Sequence, residues 1–182
     1  KELHLQNFPT VNYDLLSINT GSISNTKKIK IESSSKCFFV KPISSLVKNL
    51  IQIDQIVKSK KNKIIIIGGG VASYELAFSL KRRYESPLEI TILGKKILKE
   101  KNLNKKTKNY LKRISENLNI KEYPGEVISI SEKYLTLNNG NKIDCDLSLV
   151  STGASIESWL LESNLSKDEK GFIKVNSNLL SI

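Results

Sequence analysis

The sequence predicts an α/β fold in which a parallel sheet is joined by an antiparallel β-meander and flanked by β-rich arms. Three observations predict it. Residues 63–67 (KIIII) form a β-branched apolar run that stops at Gly68-Gly69-Gly70, as a strand buried on both faces of a parallel sheet reads. From Val71 to Arg83 the period becomes helical, with Ala72, Leu76 and Leu80 on one stripe joined by Ala77. Residues 126–146 then alternate (EVISIS, YLTLN, KIDCD) around Asn139-Gly140, and Asn-Gly signals a hairpin whose two turn positions need positive φ.

The elements follow in order. Residues 1–5 and 13–19 read as strands, and residues 27–40 hold two more. A helix over 44–58 has Ser44 or Ser45 as N-cap, with Leu46, Leu50, Ile53 and Val57 on one side. KSKKNK at 58–63 reads as a polar linker. After the glycine turn and its helix, where Arg82 and Arg83 suit the negative end of the helix dipole, Pro87 ends the connection. Residues 88–93 (LEITIL) are the second strand, which completes a βαβ unit. A helix over 104–117 carries a stripe of Leu103, Tyr110, Leu111, Ile114 and Leu118, and residues 119–123 give a third parallel strand. The meander feeds into DLSLVSTG as the domain's last strand. Residues 158–165 form a short helix and 171–175 a strand.

One phrase is written twice. DLLSINTGS begins at Asp14 and DLSLVSTGAS at Asp146, and the same offset of 132 pairs Thr20 with Thr152, Gly21 with Gly153, Leu3 with Leu135 and Leu5 with Leu137. A shared register of this kind points to duplication of one nucleotide-binding half. The first copy begins at its hairpin, so the chain is expected to be a piece of a longer one. It contains no methionine at all.

Composition bounds the function. The chain of 182 residues is 39% hydrophobic and 26% charged, typical of a soluble globular protein. The longest aliphatic run, 64–67, is too short for a transmembrane segment. Cys37 and Cys145 make neither a redox pair nor a zinc site, and a cytoplasmic location is expected. The net charge of +11 raises nucleic acid as a partner, but 26 of the 29 basic residues are lysine and only Arg82, Arg83 and Arg113 are arginine. Phosphate and base recognition favours arginine, so nucleic acid is excluded as the expected partner.

Gly68-Gly69-Gly70-Val71-Ala72-Ser73 fits G-x-G-x-x-[G/A] except at Ser73, in the required place between strand and helix. This makes the domain Rossmann-like, with three layers. Gly68 serves the tight turn, Gly70 lets backbone approach a pyrophosphate, and the helix N-terminus holds the anion. Ser73 is positioned to bond back to a carbonyl. The second strand ends at Gly94 rather than at the Asp or Glu that would hold an NAD ribose, and Lys95-Lys96 follow. These lysines are either partners for a 2′-phosphate, favouring NADP, or solvated charges. Glu75 reads as a solvent-facing helix residue. His4, the only histidine, receives no role, and neither catalytic nor metal-ligating residues stand out.

GGGVASYELA, the two Asp…Thr-Gly phrases and GFIKVN together resemble the pyridine nucleotide–disulfide oxidoreductase superfamily of flavoproteins. The nearest likeness is to its type-II NADH dehydrogenase-like branch, including the flavoprotein module fused to selenide, water dikinase. The resemblance implies NAD(P)H as cofactor, with FAD in the full-length protein, and a quinone or small-molecule electron acceptor. It implies that residues 1–60 are the tail of one half of an FAD domain plus a connecting helix, 61–154 the NAD(P)H domain, and 155–182 a return toward the FAD domain. The remainder of that FAD domain would be a partner in cis, and the piece alone would be inactive. It also implies that Gly68 to Ser73 hold the pyrophosphate, that Glu75 lies toward the nicotinamide, that Thr152, Gly153 and Ala154 border the dinucleotide, and that Thr20 and Gly21 border the flavin. A dinucleotide sensor without catalysis is the alternative.

Overall fold

The computed structural model describes residues 1–58, 62–84, 88–99 and 103–182. In chain order, five short strands come first: β1 (Glu2–Leu3), β2 (Val11–Asn12), β3 (Ile23–Ser24), β4 (Lys30–Ile31) and β5 (Cys37–Phe39). Helix α1 (Ile43–Lys58) leads to β6 (Asn62–Ile67), α2 (Val71–Arg83), β7 (Leu88–Gly94), α3 (Lys105–Asn117) and β8 (Lys121–Pro124). The meander is β9 (Val127–Ile130), β10 (Tyr134–Leu137) and β11 (Lys142–Asp144), followed by β12 (Leu147–Val150), β13 (Ala154–Ser155) and α4 (Ser158–Glu162).

The main sheet runs β5-β12-β6-β7-β8, and every pairing in it is parallel. The unbroken isoleucine run of β6 is explained by its two faces. Ile64 and Ile66 enter a core with Ile53 and Val57 of α1, Tyr74 and Ala77 of α2, and Leu111 of α3. Ile65 and Ile67 enter a second core with Val127, Ile130, Leu135 and Leu137 of the meander. All four isoleucines are at most 4% exposed, and each buried aliphatic side chain contributes roughly 1.5–3 kcal/mol. Helices therefore cover one face and the sheet β11-β10-β9-β4, antiparallel through the meander with β4 parallel to β9, covers the other, the expected three-layer α/β arrangement.

The two halves of the repeat share hairpin geometry. Leu3 pairs with Val11 and Glu2 with Asn12, while Leu135 pairs with Ile143 and Tyr134 with Asp144, the same register after the offset read from the sequence. The Tyr13 amide donates to the Lys1 carbonyl at 2.9 Å, and the equivalent Cys145 amide donates to the Lys133 carbonyl at 2.8 Å.

Several expectations are corrected. Residues 13–19 are not a strand: Leu15 is 82% exposed, and no neighbouring strand pairs with it among the described residues. Neither Ser44 nor Ser45 is an N-cap, because α1 begins at Ile43 and the Ser45 amide already donates to the Pro42 carbonyl at 3.0 Å. Asn62 belongs to β6 rather than to a polar linker. It is fully buried and donates to the Ile56 and Val57 carbonyls at the end of α1. Residues 59–61 and Pro87 lie outside the described residues.

On α2 the buried face is Ser73, Tyr74, Ala77 and Leu80, whereas Ala72 is exposed. On α3 Tyr110 is exposed with Arg113 stacked on its ring, and Ser115 takes the inner position. The α3 start is as read, with the Asn104 side chain accepting from the Thr107 amide at 2.8 Å. In the Asn139-Gly140 hairpin only Gly140 takes a positive φ, +83°. Its amide closes the turn on the Leu137 carbonyl, a type I turn followed by a left-handed glycine. The terminal helix is shorter than read, and 171–175 forms only single bridges, Lys167 with Ile173 and Val175 with Ser181.

Candidate functional site

β6 ends where the polypeptide must reverse into α2, and the backbone is so crowded there that glycine is obligatory. Gly68 has φ +145°, and a Cβ on it would stand 2.3 Å from the Ser151 carbonyl oxygen. A Cβ on Gly69 would stand 2.1 Å from the Lys96 carbonyl oxygen. Backbone of β6, β7 and β12 thus converges at one point. The Gly68 amide donates to the Leu93 carbonyl at 2.8 Å, and the Ser151 amide to the Ile67 carbonyl at 2.9 Å.

Gly70 is the N-cap of α2. It has no side-chain acceptor to offer, and the first turn carries no acidic residue. The first turn thus offers its positive end no carboxylate of its own, the condition for receiving an anion. Ser73 is fully buried and its Oγ has no hydrogen-bond partner among the described residues. The expected bond back to a carbonyl is therefore not made; the hydroxyl lies against the turn instead, 2.9 Å from where a Gly68 Cβ would stand.

Two cavities flank the glycine turn. The first, about 260 Å³, is bordered by Gly68, Gly69, Gly94, Lys95, Lys96, Gly125, Glu126, Thr152 and Gly153, with Asn25 and Lys28 across from them. The second, about 370 Å³, is bordered by Gly68, Gly69, Gly70, Ala72, Lys96, Ser151, Thr152 and Gly153, with Lys41 and Lys99. They share Gly68, Gly69, Lys96, Thr152 and Gly153. The cleft is the crevice beyond the carboxyl ends of parallel strands, where open α/β sheets take ligands. Thr152 is held by its hydroxyl, which donates to the Asn25 carbonyl at 2.8 Å.

The structure thus brings together Gly68, Gly69, Gly70, Ala72, Gly94, Lys95, Lys96, Thr152 and Gly153. Val71, Ser73, Glu75 and Ala154 border neither cavity. Glu75 is exposed on α2, and Ala154 pairs with Ser24 in the ladder of β13 and β3. Thr20 and Gly21 are exposed and also border neither cavity.

Sequence reasoning missed Lys28, Lys41, Lys99 and Glu126. Nothing local marks these residues. Among the described residues, five lysines (Lys28, Lys41, Lys95, Lys96 and Lys99) converge on one cleft, which concentrates positive potential there. Glu126 accepts from Lys95 Nζ at 2.9 Å. That bond, with the charge of Lys28, holds its carboxyl below the usual range. The glycine cradle, the uncapped helix end and the lysines fit a dinucleotide diphosphate.

Comparison with known proteins agrees with this geometry. No curated protein matches the chain. Among solved structures, the reduced CoADR-RHD of Bacillus anthracis is 20% identical, with a TM-score of 0.75 over 95% of this chain and 31% of that one. The water-forming NADH oxidase of Lactobacillus brevis, bound to NADH, is 18% identical (TM-score 0.75, 95% of this chain and 38% of that one). Its engineered water-forming NADPH oxidase variant, bound to NADPH, is 17% identical with a TM-score of 0.76 over the same shares. These likenesses establish the fold, and the chain spans about a third of the length of each of these proteins. Residues 1–181 match the pyridine nucleotide-disulphide oxidoreductase family, whose cofactors are NAD(P)H and FAD, and the chain belongs to that family.

Proposed function

We propose that the chain is the NAD(P)H-binding portion of an FAD-dependent NAD(P)H oxidoreductase. The observation that carries this reading is the glycine turn of Gly68 and Gly69, shared by two cavities at the uncapped end of α2. The diphosphate would sit over this turn, held by backbone amides and the dipole of α2. Lys96, which borders both cavities, adds the opposite charge. The cavity with Gly94 and Glu126 takes the adenosine half, and the cavity with Ala72 and Ser151 takes the nicotinamide half. Bound NAD(P)H supplies a hydride, which in such an enzyme passes to a flavin.

The chain's residues bind and orient the dinucleotide, and none is assigned a catalytic role. In this reading residues 61–154 form the dinucleotide domain, and 1–60 and 155–182 lead toward a flavin-holding half, with Thr20 and Gly21 on its border. The repeated hairpin register supports two related halves. GGGVASYELA and the two Asp…Thr-Gly phrases favour the type-II NADH dehydrogenase-like branch, with a quinone or small molecule as electron acceptor and the cytoplasm as compartment.

The test is a charge placed at the anion site. Ala72 is exposed in the first turn of α2, where a carboxylate suits the helix dipole. Ala72→Glu is expected to leave thermal stability unchanged or slightly raised, yet to weaken NADH and NADPH binding at least about tenfold, a loss of about 1.4 kcal/mol. Undiminished calorimetric binding in that variant would overturn the placement. Binding by the intact enzyme with no hydride transfer would favour a sensor instead.

A further inference from the structure

We infer that Glu126 is the residue that selects between NADH and NADPH, and that it selects NADH. The inference rests on the dinucleotide reading of the cleft and asks which cofactor the adenosine side accepts. A 2′-hydroxyl is ordinarily held by an acidic residue at the end of the second strand. Here that position is Gly94, and a side chain there is sterically excluded: a Cβ would stand 2.7 Å from the Gly69 nitrogen and 2.9 Å from its Cα. The acceptor has to come from another element.

Glu126 is placed to supply it. The Gly125 amide donates to the Gly94 carbonyl at 3.1 Å, which ties the chain one residue before Glu126 to the strand end itself. The Asn138 amide fixes the Glu126 carbonyl at 2.9 Å. Glu126 borders the same cavity as Gly94. Lys95 Nζ holds Oε2 at 2.9 Å, which keeps the group ionised and leaves Oε1 for a hydroxyl donor.

The same pair disfavours a 2′-phosphate. Such a phosphate would lie beside a carboxylate of like charge, and it would have to share the Lys95 ammonium with Glu126. Lys28 borders the same cavity, and Lys96 borders both. Lys96 is shared with the diphosphate, and the Lys28 charge already acts on Glu126. In this reading Lys95 is the group that positions the carboxylate.

Calorimetric titration of the full chain with NADH and with NADPH tests this. The wild type is expected to bind NADH about tenfold or more tightly than NADPH. Glu126→Gln removes the negative charge and releases Lys95, so NADPH affinity should rise about tenfold while NADH affinity changes by less than about threefold. Adding Lys95→Ala to that variant should abolish the gain, and both variants should melt within a few degrees of wild type. A wild type that prefers NADPH, or a ratio unmoved by Glu126→Gln, overturns the inference while leaving the cleft a dinucleotide site. Failure of wild type to bind either dinucleotide overturns both readings.

Discussion

Tyr74 donates its phenolic hydroxyl to Glu122 Oε1 at 2.5 Å, although its ring is fully buried. The bond ties the first turns of α2 to β8, the outer strand beyond β7, and so sets how the helix end meets the glycine turn. Burial and the neighbouring carboxylate push the phenol far above its ordinary pKa, so it remains a donor at any working pH.

Tyr74→Phe keeps the ring and removes only this bond. Glu122 is exposed and regains water, so the expected cost is about 1 kcal/mol, read as an equal-slope shift of the urea midpoint. A variant as stable as wild type would show that packing alone seats the helix.

Asp54 accepts from Arg83 Nη2 at 2.8 Å and Nε at 3.1 Å and also receives the Tyr84 hydroxyl, which joins α1 to the end of α2. The Arg83 hydrogen bonds, with that of Tyr84, lower its pKa from 3.8 to about 2. The folded state therefore prefers the ionised form, and this stabilisation is complete above the unfolded value and lost as pH falls from there to about 2. Arg83 is half exposed, so solvent screening keeps the pair's contribution small. Asp54→Asn should be less stable than wild type at pH 7, and the gap should close across that acidic window. A gap that stays constant down to pH 2 would contradict the assignment.

The repeated phrase makes a third prediction. Leu147–Val150 forms β12, enclosed between β5 and β6, with every residue at most 1% exposed. Its counterpart, residues 15–18, pairs with no strand among the described residues, and Leu15 is largely exposed. Hydrogen exchange should show amides 147–150 among the slowest in the chain and amides 15–18 near the unprotected rate. Comparable protection in both copies would mean that the first one is paired.

Much of the fold was legible because its signals are local or periodic. Four β-branched isoleucines before three glycines read as a strand buried on both faces that ends in a turn, and the residues directly after them carry the helical stripe. The hairpin register of the second copy could even be carried back to the first. The site was half legible. Gly68, Gly69, Lys96, Thr152 and Gly153, all named from the sequence, border both cavities. The approach of Glu126 to Gly94, by contrast, depends on a hydrogen bond from a residue 31 positions away, Gly125 to Gly94, and no spacing rule encodes it.

Sequence by itself determined which segments could be strand or helix, where glycine had to stand, and that one hairpin register recurs 132 residues later, since these depend on side-chain period and backbone sterics. Tertiary structure alone decided which of two similar phrases becomes a strand, because a strand's amides are satisfied only by a neighbour. It also decided that Tyr74 rather than Ala72 faces the core, and which lysines and which carboxylate gather at the cleft. Charge carries no periodicity, and its partners are chosen by the packing of distant elements.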